Sequence, residues 1–549
     1  MKRDTSRDGF ENRTRYRVLT SLKPLWRIVN NTKPVHAVVN RYLINNAILQ
    51  TRTRPHPYST MDDYVSVDSL RDKTYFSRHL PAKEQPDLPS VEQVLALFKR
   101  PGTARLSDKS TVLFAAFAQW FTDGFLLTGP ADPATGKPDP NAKNPRARNH
   151  STHEMDLAQL YGVNDKITRA IRVDSEEPGK RGRLKSQWIN GAEYPPYLFD
   201  PNDTETPRAE FAALPLPTSL SLQTDATKRA TLFAFGGERS NTTPQTAMIN
   251  VLMLREHNRL CDALEQAYPD WNGDRVFNTA RNVLIILLLK IVVGEYINHI
   301  SPYHHRFDLD PKAAWRARWN RPGWFAVEFN MLYRWHSAIP DHIEWGRRTY
   351  PTGEWLLDNG PLIDAGLGVA FESSSRQPAG EITLGNTPNA LLHTERFAIE
   401  QGRGNKLASY NDYREAMGYP RVTRFEQISS SPRVVEQLRR LYRDVDNLEF
   451  YVGLFAEDSR PNGAVPSLLG RMVALDAFSQ ALISPLCSEH VYNPTTFSEV
   501  GWKTIQTTEC LADLVARNVA GGMNVFVSMT QRQAKLESQA GTDYEDAAE

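Results

Sequence analysis

With 549 residues, of which 40% are hydrophobic and 23% charged, the chain has the make-up of a globular protein with a sizeable core, which excludes a disordered or fibrous class. Its 65 Lys and Arg against 64 Asp and Glu leave a formal charge of +1, without the basic excess of a nucleic-acid binder, so no nucleic-acid partner is expected. Three scattered cysteines, Cys261, Cys487 and Cys510, are too few for a disulfide framework or a cysteine-ligated zinc site and point to a reducing, cytoplasmic setting.

Residues 1–20 read as a polar arm lacking the apolar stretch that a secretory signal needs, so the sequons at Asn12, Asn149, Asn202 and Asn241 are expected to go unused. Residues 21–57 alternate short apolar patches with Lys, Arg and Asn, which predicts short amphipathic helices. These either pack on the main body or lie on a lipid surface with Trp26, Ile28, Val38, Val39, Leu43 and Ile44 toward the acyl chains, and both readings stay open. Beyond the Pro-rich stretch RTRPHPYST, the body runs over residues 58–530, interrupted by polar Gly- and Pro-rich loops such as TGPADPATGKPDPNAKNPRARNH. SVEQVLALFKR, STVLFAAFAQWF, QTAMINVLMLREHNRLCDALEQAY and RVFNTARNVLIILLLKIVVGEYINHI all space apolar residues by three and four, the helical period. Strand-like alternation is scarce. VLIILLLKIVV (Val283 to Val293) is too short for a membrane span and contains Lys290, which predicts a buried core helix. Residues 531–549 read as a polar tail.

Two segments place a histidine in an unusual setting: LREHNRLCD, with His257, and EFNMLYRWHSAIPD, with His336. Taken alone, each histidine is as well explained as a satisfied core group, and the His304–His305 pair as loop. Spacing alone does not decide between core group and ligand.

EFNMLYRWHSAIPD resembles the proximal-haem segment of the cyclooxygenases and the related fungal fatty-acid dioxygenases, in which Tyr-x-Trp-His supplies a radical tyrosine and an iron ligand. FAAFAQWFTDGF resembles their distal-haem helix, and HEMDLAQLYG, LKSQWINGAEYPPYLF, LREHNRLCDALEQAYPDWNGDRVFNTAR, YINHISPYHHRFDLDP, LASYNDYREAMG and YNPTTFSEVGWKTIQT follow in family order. The resemblance spans roughly residues 20 to 520 and implies the animal haem peroxidase superfamily. The implied fold is mainly α, one large helical domain with haem between central helices.

The resemblance puts His336 on the axial iron ligand and Tyr333, expected on the same helix, on the radical tyrosine. It implies that the Tyr333 radical removes a hydrogen atom from a bound unsaturated fatty acid, after which O2 adds to the carbon. A core aromatic with its hydroxyl satisfied is the plain alternative for Tyr333. Gln119 falls on the distal glutamine, and Asp123 stands where the family carries its distal histidine. Arg239, sixteen residues before Arg255, takes the place of the catalytic arginine of the superfamily's peroxidases. An Asp beside an Arg can move the proton and steady the departing oxygen during peroxide cleavage; a purely structural Asp123–Arg239 pair is the alternative. The glutamate that esterifies haem in mammalian peroxidases falls on Thr242, so haem b is expected to be held non-covalently. The calcium-binding acid falls on Gly124, leaving Asp156 alone, so no calcium is expected. Arg52, with Arg54 close behind, falls on the arginine that pairs with the substrate carboxylate. Membrane contact through residues 21–50 and a homodimer remain open. The function implied is a fatty-acid dioxygenase; the alternatives are a peroxidase working through Asp123 and Arg239, or a fatty-acid hydroperoxide isomerase or lyase.

Overall fold

The computed structural model describes residues 17–49, 58–128 and 143–531. The helices that build the core and its site are, in chain order, α1 (Lys23–Asn31), α2 (Lys33–Leu49), α3 (Val112–Thr122), α4 (Pro244–Ala267), α5 (Gly273–Ile291), α6 (Val327–Leu332), α7 (Leu392–Gly404), α8 (Phe450–Ala456) and α9 (Ser467–Leu482). Among the described residues, strands occur as antiparallel pairs, of which β1 (Leu106–Thr111) with β2 (Pro378–Gly380) bears on the site.

The most apolar stretch of the sequence forms the centre. Asn272 caps α5 by accepting the Arg275 backbone N–H, and Val283 to Ile291 are buried apart from Lys290, whose ammonium reaches the Ile505 carbonyl at 2.5 Å. The helix continues through a π-helical turn, Val292–Ile297, to Ile300. By length and composition this 28-residue helix could cross a membrane, but 78% of its apolar window is buried inside the protein, as the sequence predicts for a core helix. Alongside it runs α4, opened by a Thr243–Thr246 capping box with Pro244 in the first turn. In α4, His257 takes the plain reading: Nδ1 meets the Tyr161 hydroxyl at 2.8 Å and Nε2 the Gly182 carbonyl at 3.0 Å, and burial pushes its pKa down to about 4.

The amphipathic segment departs from the expected lipid-facing set. Trp26, Leu43 and Ile44 turn into the body, because the loop at 304–308 offers them a docking edge: His305 lies against the rings of Trp26 and His36 at 5.6 and 5.1 Å. Asn40 donates to the Asp308 carbonyl at 2.9 Å. Val39 is half-buried, whereas Ile28 and Val38 do face outward, each 66% exposed, beside Leu22, Leu25, Val35 and Tyr42. In STVLFAAFAQWF the helix starts two residues later than the apolar spacing suggests, because Ser110 and Thr111 belong to β1.

The two faces of this segment should respond differently to truncation. Ile44→Ala is expected to destabilise by about 2–5 kcal/mol, and Ile28→Ala to stay within about 0.5 kcal/mol of wild type. Urea-unfolding midpoints measure both, and equal losses would contradict the assignment of faces.

Candidate active site

The aromatic wall of the site comes from α3, in which every side chain except Gln119 is buried. Phe114, Phe117 and Phe121 meet the Tyr296 ring at 5.5, 5.4 and 5.9 Å, and the π-helical turn carries Tyr296 into that contact. One turn after Gln119, Asp123 closes the helix, its backbone N–H donating to the Gln119 carbonyl at 2.9 Å. Both polar side chains therefore leave α3 on the same side.

Asp123 Oδ1 lies 3.7 Å from the Arg239 guanidinium, while Oδ2 is buried without a partner. Burial pushes this carboxyl up to about 7 against the opposing pull of Arg239. Arg239 donates to the carbonyls of Leu126 and Thr128, both at 3.3 Å, and its own carbonyl accepts the Thr242 hydroxyl at 2.7 Å, which clasps the turn before α4. Of the sequence-predicted residues, Asp123 and Arg239 are brought together, and Gln119 lies one helical turn before Asp123.

Opposite lies the segment after α6. The expectation that Tyr333 and His336 share a helix is corrected: α6 ends at Leu332, Tyr333 is its C-cap, and His336 opens a separate 3-10 turn, His336–Ala338. Packing forces the break. The Ser337 carbonyl stands 2.2 Å from where a Cβ on Gly380 would lie, so β2 and this turn press together at a spacing that only glycine permits. Asn386 also donates to the Ser337 carbonyl at 3.2 Å. Tyr333 is stacked on Trp335 at 4.9 Å and edged by Phe329 at 5.0 Å and Phe121 at 6.5 Å. Burial, the largest influence on its phenol, raises the pKa well above the ordinary tyrosine range.

Two residues of this side escaped the sequence reading. Arg334, inside the very motif that flagged its neighbours, donates to Gln401 at 3.1 Å, and burial lowers its pKa to about 10. It feels the charges of Arg239, Glu395 and Asp123, which places these groups in one site. Glu395, from α7, places Oε1 3.1 Å from His336 Nδ1. Its only sequence signal would have been an acidic residue in a helix whose neighbours are mostly apolar or basic. Arg52 and Arg54 lie outside the described residues. At the expected calcium position, a Cβ on Gly124 would stand 2.1 Å from Gln159 Oε1, and Asp156 accepts the Ala158 backbone N–H at 3.1 Å. Among the described residues, no group of three His, Cys, Asp or Glu side chains is disposed to hold a metal ion.

Asp123 Oδ2, Arg334 Nε and His336 Nδ1 are buried in this site without a hydrogen-bond partner among the described residues. An imidazole in the same site as an acid–arginine pair is a donor set that fits haem. Core helices and few strands define a mainly helical fold around this site. A profile of the animal haem peroxidase family matches residues 131–525. Horse prostaglandin G/H synthase 2 (Equus caballus) is 30% identical over 92% of this chain and 80% of its own, and rat prostaglandin G/H synthase 1 (Rattus norvegicus) 30% over 90% and 79%. Among solved structures, fatty acid alpha-dioxygenase from Oryza sativa superposes with a TM-score of 0.65 at 16% identity, covering 95% of this chain and 99% of that one. Peroxidase A from Dictyostelium discoideum superposes at 0.64 with 18% identity, covering 86% and 99%. The protein belongs to the animal haem peroxidase family, whose members bind haem, and it is an oxidoreductase.

The glycine contact gives a direct check. Gly380→Ala should push the His336 turn aside, costing about 1–3 kcal/mol of stability and weakening haem uptake in a Soret titration. Unchanged haem affinity would separate the two.

Proposed function

We propose that the protein is a fatty-acid dioxygenase that holds haem b non-covalently through His336 and oxidises an unsaturated fatty acid with a Tyr333 radical. One observation carries this reading: a phenol buried among aromatic rings, three residues from the candidate iron ligand, with the Tyr296 hydroxyl as its polar neighbour. Haem, when bound, supplies the one-electron oxidation. Tyr333 contributes a phenol that stays protonated at physiological pH until it loses electron and proton together, and its delocalised radical then takes a hydrogen atom from a weak C–H bond of the substrate. Phe121, Phe329 and Trp335 keep water from that radical. Similarity to the prostaglandin G/H synthases over nearly the whole chain supports a lipid substrate. Thr242 has no carboxylate to esterify haem, and its hydroxyl already binds the Arg239 carbonyl. Arg52 or Arg54 pairs with the fatty-acid carboxylate, and the outward apolar face of α1 and α2 rests on a membrane on the cytoplasmic side.

Oxygen uptake by haem-reconstituted protein with oleate, linoleate and arachidonate tests this reading, with Tyr333→Phe and His336→Ala expected to abolish it. A Tyr333→Phe variant that still consumes oxygen with these lipids would remove the radical tyrosine from the mechanism.

The Asp123–Arg239 pair favours a second activity, peroxide cleavage. Asp123 can accept the peroxide proton as carboxylate, and Arg239 can steady the negative oxygen that departs. With its pKa raised to about 7, Asp123 is a neutral acid at lower pH and a base at higher pH. Peroxide-driven dye oxidation should therefore rise as pH increases through about 7, and Asp123→Asn should flatten that limb and lower the rate by about 10²–10⁴-fold. A dye-oxidation profile that is the same in Asp123→Asn sinks the assignment.

A further inference from the structure

We propose that Glu395 is a positioning residue for His336: its carboxylate accepts the Nδ1 proton, holds the ring with Nε2 turned toward the iron, and makes the imidazole a stronger electron donor. This rests on His336 being the iron ligand, as proposed above. Glu395 is 1% exposed, and both of its oxygens act as acceptors, Oε1 from the Thr387 hydroxyl at 2.7 Å and Oε2 from the Tyr451 hydroxyl. A buried carboxylate served only by two hydroxyls is poorly compensated and gains from a further donor. The ring nitrogen that stands beside it, His336 Nδ1 at 3.1 Å, has no aligned hydrogen bond to any described residue in the present ring orientation. The outer torsion of a histidine side chain is broad, so a small ring rotation aligns the pair at little cost. Nε2 makes no hydrogen bond to any described residue and is the nitrogen left for the metal.

Metal-bound histidines commonly give their second N–H to a carboxylate, which fixes the ring and raises its basicity. Here that arrangement has a particular use. The distal side carries Asp123 in place of a histidine, so proton handling there is limited by a carboxyl that is neutral up to about 7. With haem bound, His336 would hold it and Glu395 would make that ligand more electron-donating, the property that favours peroxide chemistry at the iron. Arg334 feels the charges of both Glu395 and Asp123.

The test is resonance Raman spectroscopy of the full-length, haem-loaded ferrous protein, read at the iron–histidine stretching band, with haem affinity measured alongside. Glu395→Gln keeps the shape and removes the charge; it should move the band to lower frequency, raise the ferric/ferrous midpoint potential and weaken haem binding about tenfold or more. Tyr451→Phe leaves the carboxylate in place but takes away a competing donor, so it should move the band the opposite way, which also serves if Glu395→Gln fails to fold. A band unmoved in these variants while His336→Gly abolishes it overturns the role of Glu395 and leaves His336 as ligand. A band that survives His336→Gly overturns the ligand assignment itself.

Discussion

A phenol, an imidazole, two guanidiniums and two carboxylates are held together among buried aromatic and aliphatic side chains, and the burial of those groups governs the rest of the site. Each charge-bearing group has a partial answer to desolvation: Asp123 has Arg239 at 3.7 Å, Arg334 has Gln401, and Glu395 has two hydroxyls and an imidazole. For Asp123 and Arg334 the answer is incomplete, and burial pushes both toward neutrality. Rigid scaffolding is required to keep such groups apart from better partners, and α3, α4 and α5 supply it with almost continuously buried faces.

Backbone geometry does the rest of the positioning. Ending α6 at Leu332 lets Tyr333 and His336 point in directions that a continuous helix would not allow, and Gly380 permits the close approach of β2 that holds the new turn in place. At the other wall, the regular α-helical step from Gln119 to Asp123 is retained, because there two side chains are wanted on the same side.

Much of this architecture is legible in the sequence. The run Val283 to Val293 announces the central helix by an apolar character broken only at Lys290, and the Tyr-x-Trp-His motif marks the candidate haem-ligand segment by resemblance. Asp123 and Arg239, far apart in the chain, were paired by resemblance and do meet in space. What stayed hidden depends on tertiary contacts. Nothing in EFNMLYRWHSAIPD shows that the helix stops at Leu332, since the pressure comes from Gly380 more than forty residues on. Glu395 carries no mark of its role because its partners come from Thr387, Tyr451 and His336 on three different segments. The lipid-facing set for α1 and α2 was split for a related reason: periodicity shows which residues share a face, and only the docking edge at 304–308 says which face is covered.

The π-helical turn at Val292–Ile297 has a mechanical meaning as well. One additional residue in a helical turn resets the phase of everything after it, so the chain before the turn and the chain after it present different faces to the same neighbours. Up to Ile291 the helix faces hydrocarbon; past the reset it delivers Tyr296 to the wall beside Tyr333. The rod thus works as two tools joined end to end, a strut and a pointer, and the pointer's aim is set by a single residue of slack. Loss of one residue there would leave the strut intact and swing the phenol away, a change in chemistry made with almost no change in shape.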